Sequence, residues 1–228
     1  MGPESRHELQ EATFGRPVES GVVLFGLSPK NGYYRKNNIA VALQYILATL
    51  SGGWTVRPFV PEGPSVWTYL AVGYTKEAGV RSARGQSTEL RRNARFGANG
   101  DPRYKDCKWD DLTGGETNAS FAKAIKRFDV LHETNDVFRR DVDEATRGVL
   151  EKVGKGTKEA IAVGRRYVIE ELAALTVVRE MLGTRELVLV YHRPFLLAER
   201  LFEGTLYGLP KMENASVAIV NAEHLTSS

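Results

Sequence analysis

An α/β domain built on a parallel sheet is the fold class this sequence predicts, and three features predict it. A buried-type apolar strand lies near the start, a helix of 3.6-residue period follows it directly, and strand-like sequence returns beyond Gly52-Gly53. With 228 residues, 42% of them hydrophobic and 26% charged, the chain can bury one ordinary core. A flexible N-terminal segment is expected over residues 1–20 and a single domain over 21–228, acting as a monomer.

Val22-Val23-Leu24-Phe25 is a short β-branched and apolar run, and Ser28-Pro29-Lys30-Asn31-Gly32 carries the turn chemistry that ends it. Ser28 is therefore predicted at the carboxyl end of a strand. Over residues 37–50, apolar side chains fall at 39, 43, 46, 47 and 50, a helical period that Gly52-Gly53 stops. Residues 54–60 and 66–72 read as further strands. Residues 76–96 predict a polar, arginine-rich helix, although Gly79 and Gly85 each cost it about 1 kcal/mol relative to alanine. A Gly/Asp/Asn-rich connection over 99–117 leads to helices over 119–131, 135–153 and 158–182, with a pause at Gly154-Lys155-Gly156. Strands over 187–191 and 216–220 complete the sheet. In open α/β sheets ligands bind beyond the carboxyl ends of strands. Two polar constellations fall there, Ser28 to Asn31 and Tyr191-His192.

Composition excludes several classes. No run approaches the about 18 apolar residues of a membrane helix. Residues 1–8 carry acids and lack an apolar core, so no secretory signal is expected, and Arg6 breaks the myristoylation pattern. The single cysteine, Cys107, rules out an internal disulfide, and its neighbours Lys105, Asp106 and Lys108 predict a reduced surface thiol. Histidines at 7, 132, 192 and 224 show no metal-binding spacing, so no metal is expected, and the cytosol is the expected compartment. Gly148 and Gly154-Lys155-Gly156 imitate a phosphate loop with one residue too many and no Ser/Thr after the lysine, which argues against ATP there.

Net charge is +3, unevenly placed: residues 76–108 hold nine Lys/Arg against four Asp/Glu, a net of +5 that leaves −2 elsewhere. Arg81, Arg84, Thr88, Arg91 and Arg95 recur at helical spacing, with Arg92 beside them. Such a stripe can track the phosphates of a folded RNA or form a solvated face, and only Glu77 and Glu89 offer local neutralisation. On the helix from Lys158, Ala160, Gly164, Tyr167, Glu171, Ala174 and Val178 share one face. Tyr167 and Glu171 could hold an ammonium group there, or Glu171 could be a solvated edge. Ser28 follows Gly26, but Lys30 replaces the last glycine of a hydrolase nucleophile elbow, so the loop is either a simple turn or a nucleophile of another kind. Alternation puts Leu24, Gly26 and Ser28 on one strand face, and Leu187, Leu189 and Tyr191 on another; Tyr191 and His192 either share the site or hydrogen-bond a loop.

Taken together, five features in order resemble the cyclodipeptide synthase family: the Ser28-Pro29-x-Asn31-x-Tyr33 loop, Gly73-Tyr74, the basic helix of Arg81 to Arg95, Tyr167-x-x-x-Glu171-Leu172, and Tyr191-His192. Asn31 with Tyr191 and His192 is similar to the branch that keeps an asparagine in the serine loop. Ala173 stands where the family has proline. The resemblance implies a Rossmann-like parallel sheet with helices on both faces, like the catalytic domain of class I tyrosyl-tRNA synthetases. Adenylation motifs are missing, and no cofactor is expected.

It also implies roles. Ser28 takes the acyl group of a first aminoacyl-tRNA, Tyr167 and Glu171 grip its amino group, Asn31 supports the loop, and Tyr191 positions protons. A second aminoacyl-tRNA supplies the amine that takes the acyl group, producing a dipeptidyl-enzyme whose free amine closes a 2,5-diketopiperazine ring and expels Ser28. Arg81, Arg84, Arg91, Arg92 and Arg95 would bind tRNA. The first acyl pocket is expected to use Leu24, Gly26, Tyr33, Gly73, Ala174 and Leu189, and the second the segment over 193–211. The rival readings are a serine acyltransferase or esterase on small activated donors, and a non-catalytic tRNA-binding protein.

Overall fold

All six residues of strand β1 (Gly21–Gly26) are buried, as expected of a central parallel strand covered on both faces. The computed structural model describes residues 20–226 apart from Lys30, Ser51, Glu116, Lys152 and Val153; the segment expected to be flexible lies, but for Ser20, outside the described residues. β2 (Trp54–Phe59), β3 (Leu187–Tyr191) and β4 (Ala215–Ile219) join β1 in a four-stranded sheet of order β2-β1-β3-β4. Every neighbouring pair is parallel. The chain leaves β1 toward β2 on one side, and β3 lies on the other. A crevice therefore opens beyond the carboxyl ends of β1 and β3, the switch point at which ligands bind in such sheets. Ser28 follows one of those ends and Tyr191-His192 the other.

Strand alternation sorts the core into two layers. Val22, Leu24, Leu187, Leu189 and Tyr191 pack with helix α7 (Lys158–Leu182), while Val23, Phe25, Val188 and Val190 pack with α1 (Lys36–Thr49). α7 is bounded as its sequence dictates. The Thr157 hydroxyl accepts from Ala160 N at 3.3 Å, and Gly183 takes the left-handed conformation at the far end. The helix runs unbroken through Ala173. α3 (Lys76–Ala98) lies close along α1, because a Cβ on Gly97 would come 2.7 Å from the Ala40 backbone. α4 (Trp109–Thr113), α5 (Ala119–Thr134), α6 (Asp136–Leu150), α8 (Leu196–Glu203) and α9 (Ala222–Thr226) complete the described elements. Among the described residues no helix is long and apolar enough to cross a membrane.

Two expectations are corrected. Residues 66–72, read as a strand, are the later part of helix α2 (Glu62–Ala71) and its C-cap Val72. The run is apolar or aromatic but for Thr68, so it carries no clear period of its own. The helix shows in its buried face, Pro64, Ser65, Thr68 and Tyr69, and in the placement of Pro61 and Pro64 at its first turn. Cys107, expected at the surface, is 3% exposed and its thiol donates to Pro58 O at 3.1 Å. The cause is a short extension of the sheet: Val56 N donates to Arg103 O and Lys105 N to Val56 O, both at 2.9 Å, which lays the connection along β2 and turns Cys107 inward.

Candidate active site

Ser28 leaves β1 at the crevice, and the side chains that meet it come from α7 and β3. Tyr167 lies between Ser28 and Glu171, one helical turn before the carboxylate on the same face of α7, and its phenol interacts electrostatically with both. Tyr191 donates to Glu171 Oε1 at 2.6 Å from the opposite side. One serine, two phenols and one carboxylate thus converge at the crevice, with the Tyr191–Glu171 hydrogen bond at their centre. Close approach makes this possible: a Cβ on Gly26 would sit 2.0 Å from the Tyr191 ring, so glycine is what lets the ring lie across β1.

Glu171 is 4% exposed. Burial lifts its carboxyl to about 7 although the hydrogen bonds from Tyr191 and Tyr167 pull the other way. Burial and the nearby carboxylate push both phenols well above the usual tyrosine range, so both stay protonated as donors. A buried carboxylate poised near neutrality can hold a cation or exchange a proton. The helix that presents it is held in rotation by a second network. Arg166, adjacent to Tyr167, donates to Asp129 on α5 at 2.8 and 2.9 Å and to Glu170 at 2.8 Å, and Glu170 also accepts from Trp67 of α2 at 3.0 Å.

The serine loop is anchored separately. Tyr33 N donates to Asn31 Oδ1 at 3.1 Å, which turns the Asn31 amide nitrogen toward His192 Nε2 at 3.4 Å. His192 Nδ1 lies 2.8 Å from the buried Tyr34 hydroxyl, and its ring stacks on Tyr33 at 4.2 Å between centroids. An Nε2 that faces an amide donor leaves the proton on Nδ1, directed at Tyr34. His192 therefore holds the loop through Asn31 and Tyr34.

A cavity of about 510 Å³ opens over these groups, in the range of small-molecule sites. Its floor is Ser28, Tyr167, Glu171 and Tyr191. Its walls come from Thr68 on α2, Ala145 and Val149 on α6, and Phe195, Leu196 and Leu197 at the start of α8. At the rim Arg200 donates to Asp141 at 2.6 Å, and Tyr207 donates to the same carboxylate at 3.2 Å.

The six catalytic candidates Ser28, Asn31, Tyr167, Glu171, Tyr191 and His192 all border this one cavity. Leu24, Ala174 and Leu189, expected to line it, have no exposure and belong to the core. The register explains the correction: Leu24 is paired with Leu189, inside the sheet rather than at its rim. Gly26 is covered by Tyr191. Tyr33 borders a neighbouring polar cavity, and Gly73, with φ +97°, follows α2 and borders neither. Sequence reasoning missed Thr68, hidden by the strand reading of α2, the Tyr34 anchor, and the α6 wall. The doubled tyrosine at 33–34 and the four-residue spacing of Phe138, Val142 and Thr146 on α6 were the available signals.

On α3, Arg81, Arg84, Arg92 and Arg95 are exposed and Arg91 is partly covered. The stripe is less free than its own helix suggests. Asp106, from the following connection, lies 2.5 Å from Arg95 and 3.8 Å from Arg91, and Glu62 lies 3.9 Å from Arg84. The expectation that only Glu77 and Glu89 neutralise it is corrected accordingly.

A family model described as cyclodipeptide synthase matches residues 16–222 of this chain. Among curated protein sequences none matches significantly. A cyclodipeptide synthase from Bacillus thermoamylovorans superposes with a TM-score of 0.74 at 18% identity, over 94% of this chain and 93% of its own. A second, from Staphylococcus haemolyticus, gives 0.70 at 16% identity over 96% and 95%. A Mycobacterium tuberculosis protein, whose structure relates cyclodipeptide synthetases to type I tRNA synthetases, gives 0.69 at 19% identity over 89% and 86%. At such identities the likeness is one of fold, and it bears out the Rossmann-like α/β class.

Proposed function

The chain belongs to the cyclodipeptide synthase family, and from that premise we propose that it joins the aminoacyl groups of two aminoacyl-tRNAs into a 2,5-diketopiperazine through esters on Ser28. The observation that carries this reading is the convergence of Ser28, Tyr167, Glu171 and Tyr191 on one cavity, with the buried Glu171 accepting from Tyr191.

In the first step Ser28 Oγ attacks the carbonyl carbon of an aminoacyl-tRNA ester. The bond to the ribose oxygen breaks, that oxygen takes the serine proton, and the acyl group stays on Ser28. One ester replaces another, so the step needs placement more than a strong base. Glu171, ionised, holds the α-ammonium, with Tyr167 and Tyr191 completing the grip. For the dipeptide to remain on Ser28, the attacking amine must be that of the Ser28-bound group. Attack by the amine of the second aminoacyl-tRNA would instead leave the dipeptide on tRNA. The bound ammonium therefore gives a proton to Glu171, attacks the second ester and expels the second tRNA, whose ribose oxygen is protonated. Glu171 passes that proton to solvent and takes one from the new ammonium, and the amine so freed attacks the Ser28 ester, closes the ring and gives a proton to the departing serine oxygen. A carboxyl near 7 suits this alternation between holding and taking a proton. No cofactor or metal enters these steps, and the activated donor fits a cytosolic enzyme.

Purified protein incubated with charged tRNAs is expected to release a cyclic dipeptide, detected by mass spectrometry, and to make none from free amino acids with ATP. Acylation followed only by hydrolysis would favour an esterase or simple acyltransferase. Binding of tRNA with no acyl transfer at all would favour a non-catalytic binder.

A further inference from the structure

A second cavity, of about 570 Å³, lies behind the serine loop and shares His192 and Arg193 with the first. Its character differs. Arg35, Asn38, Arg193 and Asn221 border it together with Tyr33, and Glu223 is the carboxylate at its rim. Arg35 and Arg193 are exposed, and among the described residues neither makes an ion pair. Arg35 is the N-cap of α1, and Lys36 is that helix's first residue. The Lys36 ammonium sits 3.7 Å from the ring centroid of Phe96, which is 62% exposed on α3, directly after Arg95 and one turn beyond Arg92. Cationic and aromatic side chains thus run from the arginine face of α3 to the back of the serine loop.

An ester that reacts at Ser28 has two ends. Its acyl end fits the largely apolar-walled first cavity, so its ribose end must leave on the other side of the reacting carbonyl, where the polar cavity adjoins at His192 and Arg193. Guanidiniums suit phosphate, amides suit ribose and base edges, and an exposed aromatic among cations suits an unpaired base. We propose that this second cavity seats the terminal nucleotide of the aminoacyl-tRNA, with Arg35 and Arg193 on its phosphate, and that the unpaired 3′ end reaches it across Lys36 and Phe96. The inference rests on the aminoacyl-tRNA reading above and adds the site at which the nucleotide is held.

The test is single-turnover acylation of Ser28 by aminoacyl-tRNA, followed by intact mass, in wild type, Arg35→Ala, Arg193→Ala and the double variant. The double variant is expected to lose about tenfold or more in kcat/KM, while its rate at saturating tRNA stays within about threefold of wild type. Arg193→Lys should recover part of the loss. A tRNA ending in a photoreactive azidoadenosine should crosslink within residues 31–38 or at 221–223. A double variant with wild-type kcat/KM, an equal fall in the saturated rate, or crosslinks confined to α8 would each overturn the assignment while leaving the chemistry at Ser28 intact. A wild-type protein that forms no Ser28 ester with any aminoacyl-tRNA would overturn both readings.

Discussion

Among single residues, Glu171 links the stability of the domain to its chemistry. Its carboxyl is raised by burial from 4.5 to about 7, so the folded state binds a proton more tightly than the unfolded chain does. The associated stability is present below about pH 4.5 and lost as pH rises through about 7. Relative to Glu171→Gln, wild type should therefore lose up to about 3 kcal/mol between those pH values, read from urea unfolding at each pH. Activity should move the other way. The ionised form must hold the ammonium, so kcat/KM should rise with pH to a plateau above about 7, and Glu171→Gln should lose about 100-fold or more and show no such limb. Gly26→Ala forces a methyl into the Tyr191 ring and is expected to cost about 1–3 kcal/mol, seen as a lower Tm together with slower turnover. Strand ends placed Ser28 and Tyr191 at one crevice and helix spacing put Tyr167 and Glu171 on one face, while their meeting was implied only by the family resemblance. Which of them touch was not legible, because a hydrogen bond such as Tyr34 to His192 spans 158 positions and leaves no local pattern.

Among the elements, α3 and α2 show what periodicity can and cannot carry. The arginine face of α3 follows from its own spacing, but its pairing with Asp106 depends on a connection that folds back along β2. Arg81 and Arg92, which make no ion pair among the described residues, should matter most for RNA. Replacing both by glutamine should weaken tRNA use and flatten the log–log salt dependence by about one unit for each phosphate that is no longer neutralised. Asp106→Asn, which releases Arg91 and Arg95, should act in the opposite sense at low salt. Unchanged kinetics across a salt series for both variants would mark α3 as a solvated face. α2 escapes a reading by period because residues 66–72, apolar or aromatic at every position but Thr68, fit a buried strand as well as a helix packed between two others. The strand reading hides Thr68 from the site.

Over the whole molecule, the order β2-β1-β3-β4 is what brings residue 28 and residue 191 to one crevice; a parallel sheet was readable from the alternation of strand and helix, and helices on both of its faces were implied by the family resemblance. Side-chain depth was not readable, as Leu24, Leu189 and Ala174 lie below the cavity that they were expected to line. Cys107 offers a report on the fold as a unit. Buried, with its thiol pushed up to about 12, it should resist a disulfide reagent in native protein and react only as fast as the domain opens. Ready labelling under native conditions would mean that the connection beside β2 opens independently. Whether Ser28 carries the acyl group can be read from the intact mass after brief incubation with a single aminoacyl-tRNA. Wild-type protein is predicted to gain the mass of one aminoacyl group on Ser28, and Ser28→Ala to gain none and to make no cyclic dipeptide. A cyclic dipeptide formed by Ser28→Ala at the wild-type rate would contradict the account.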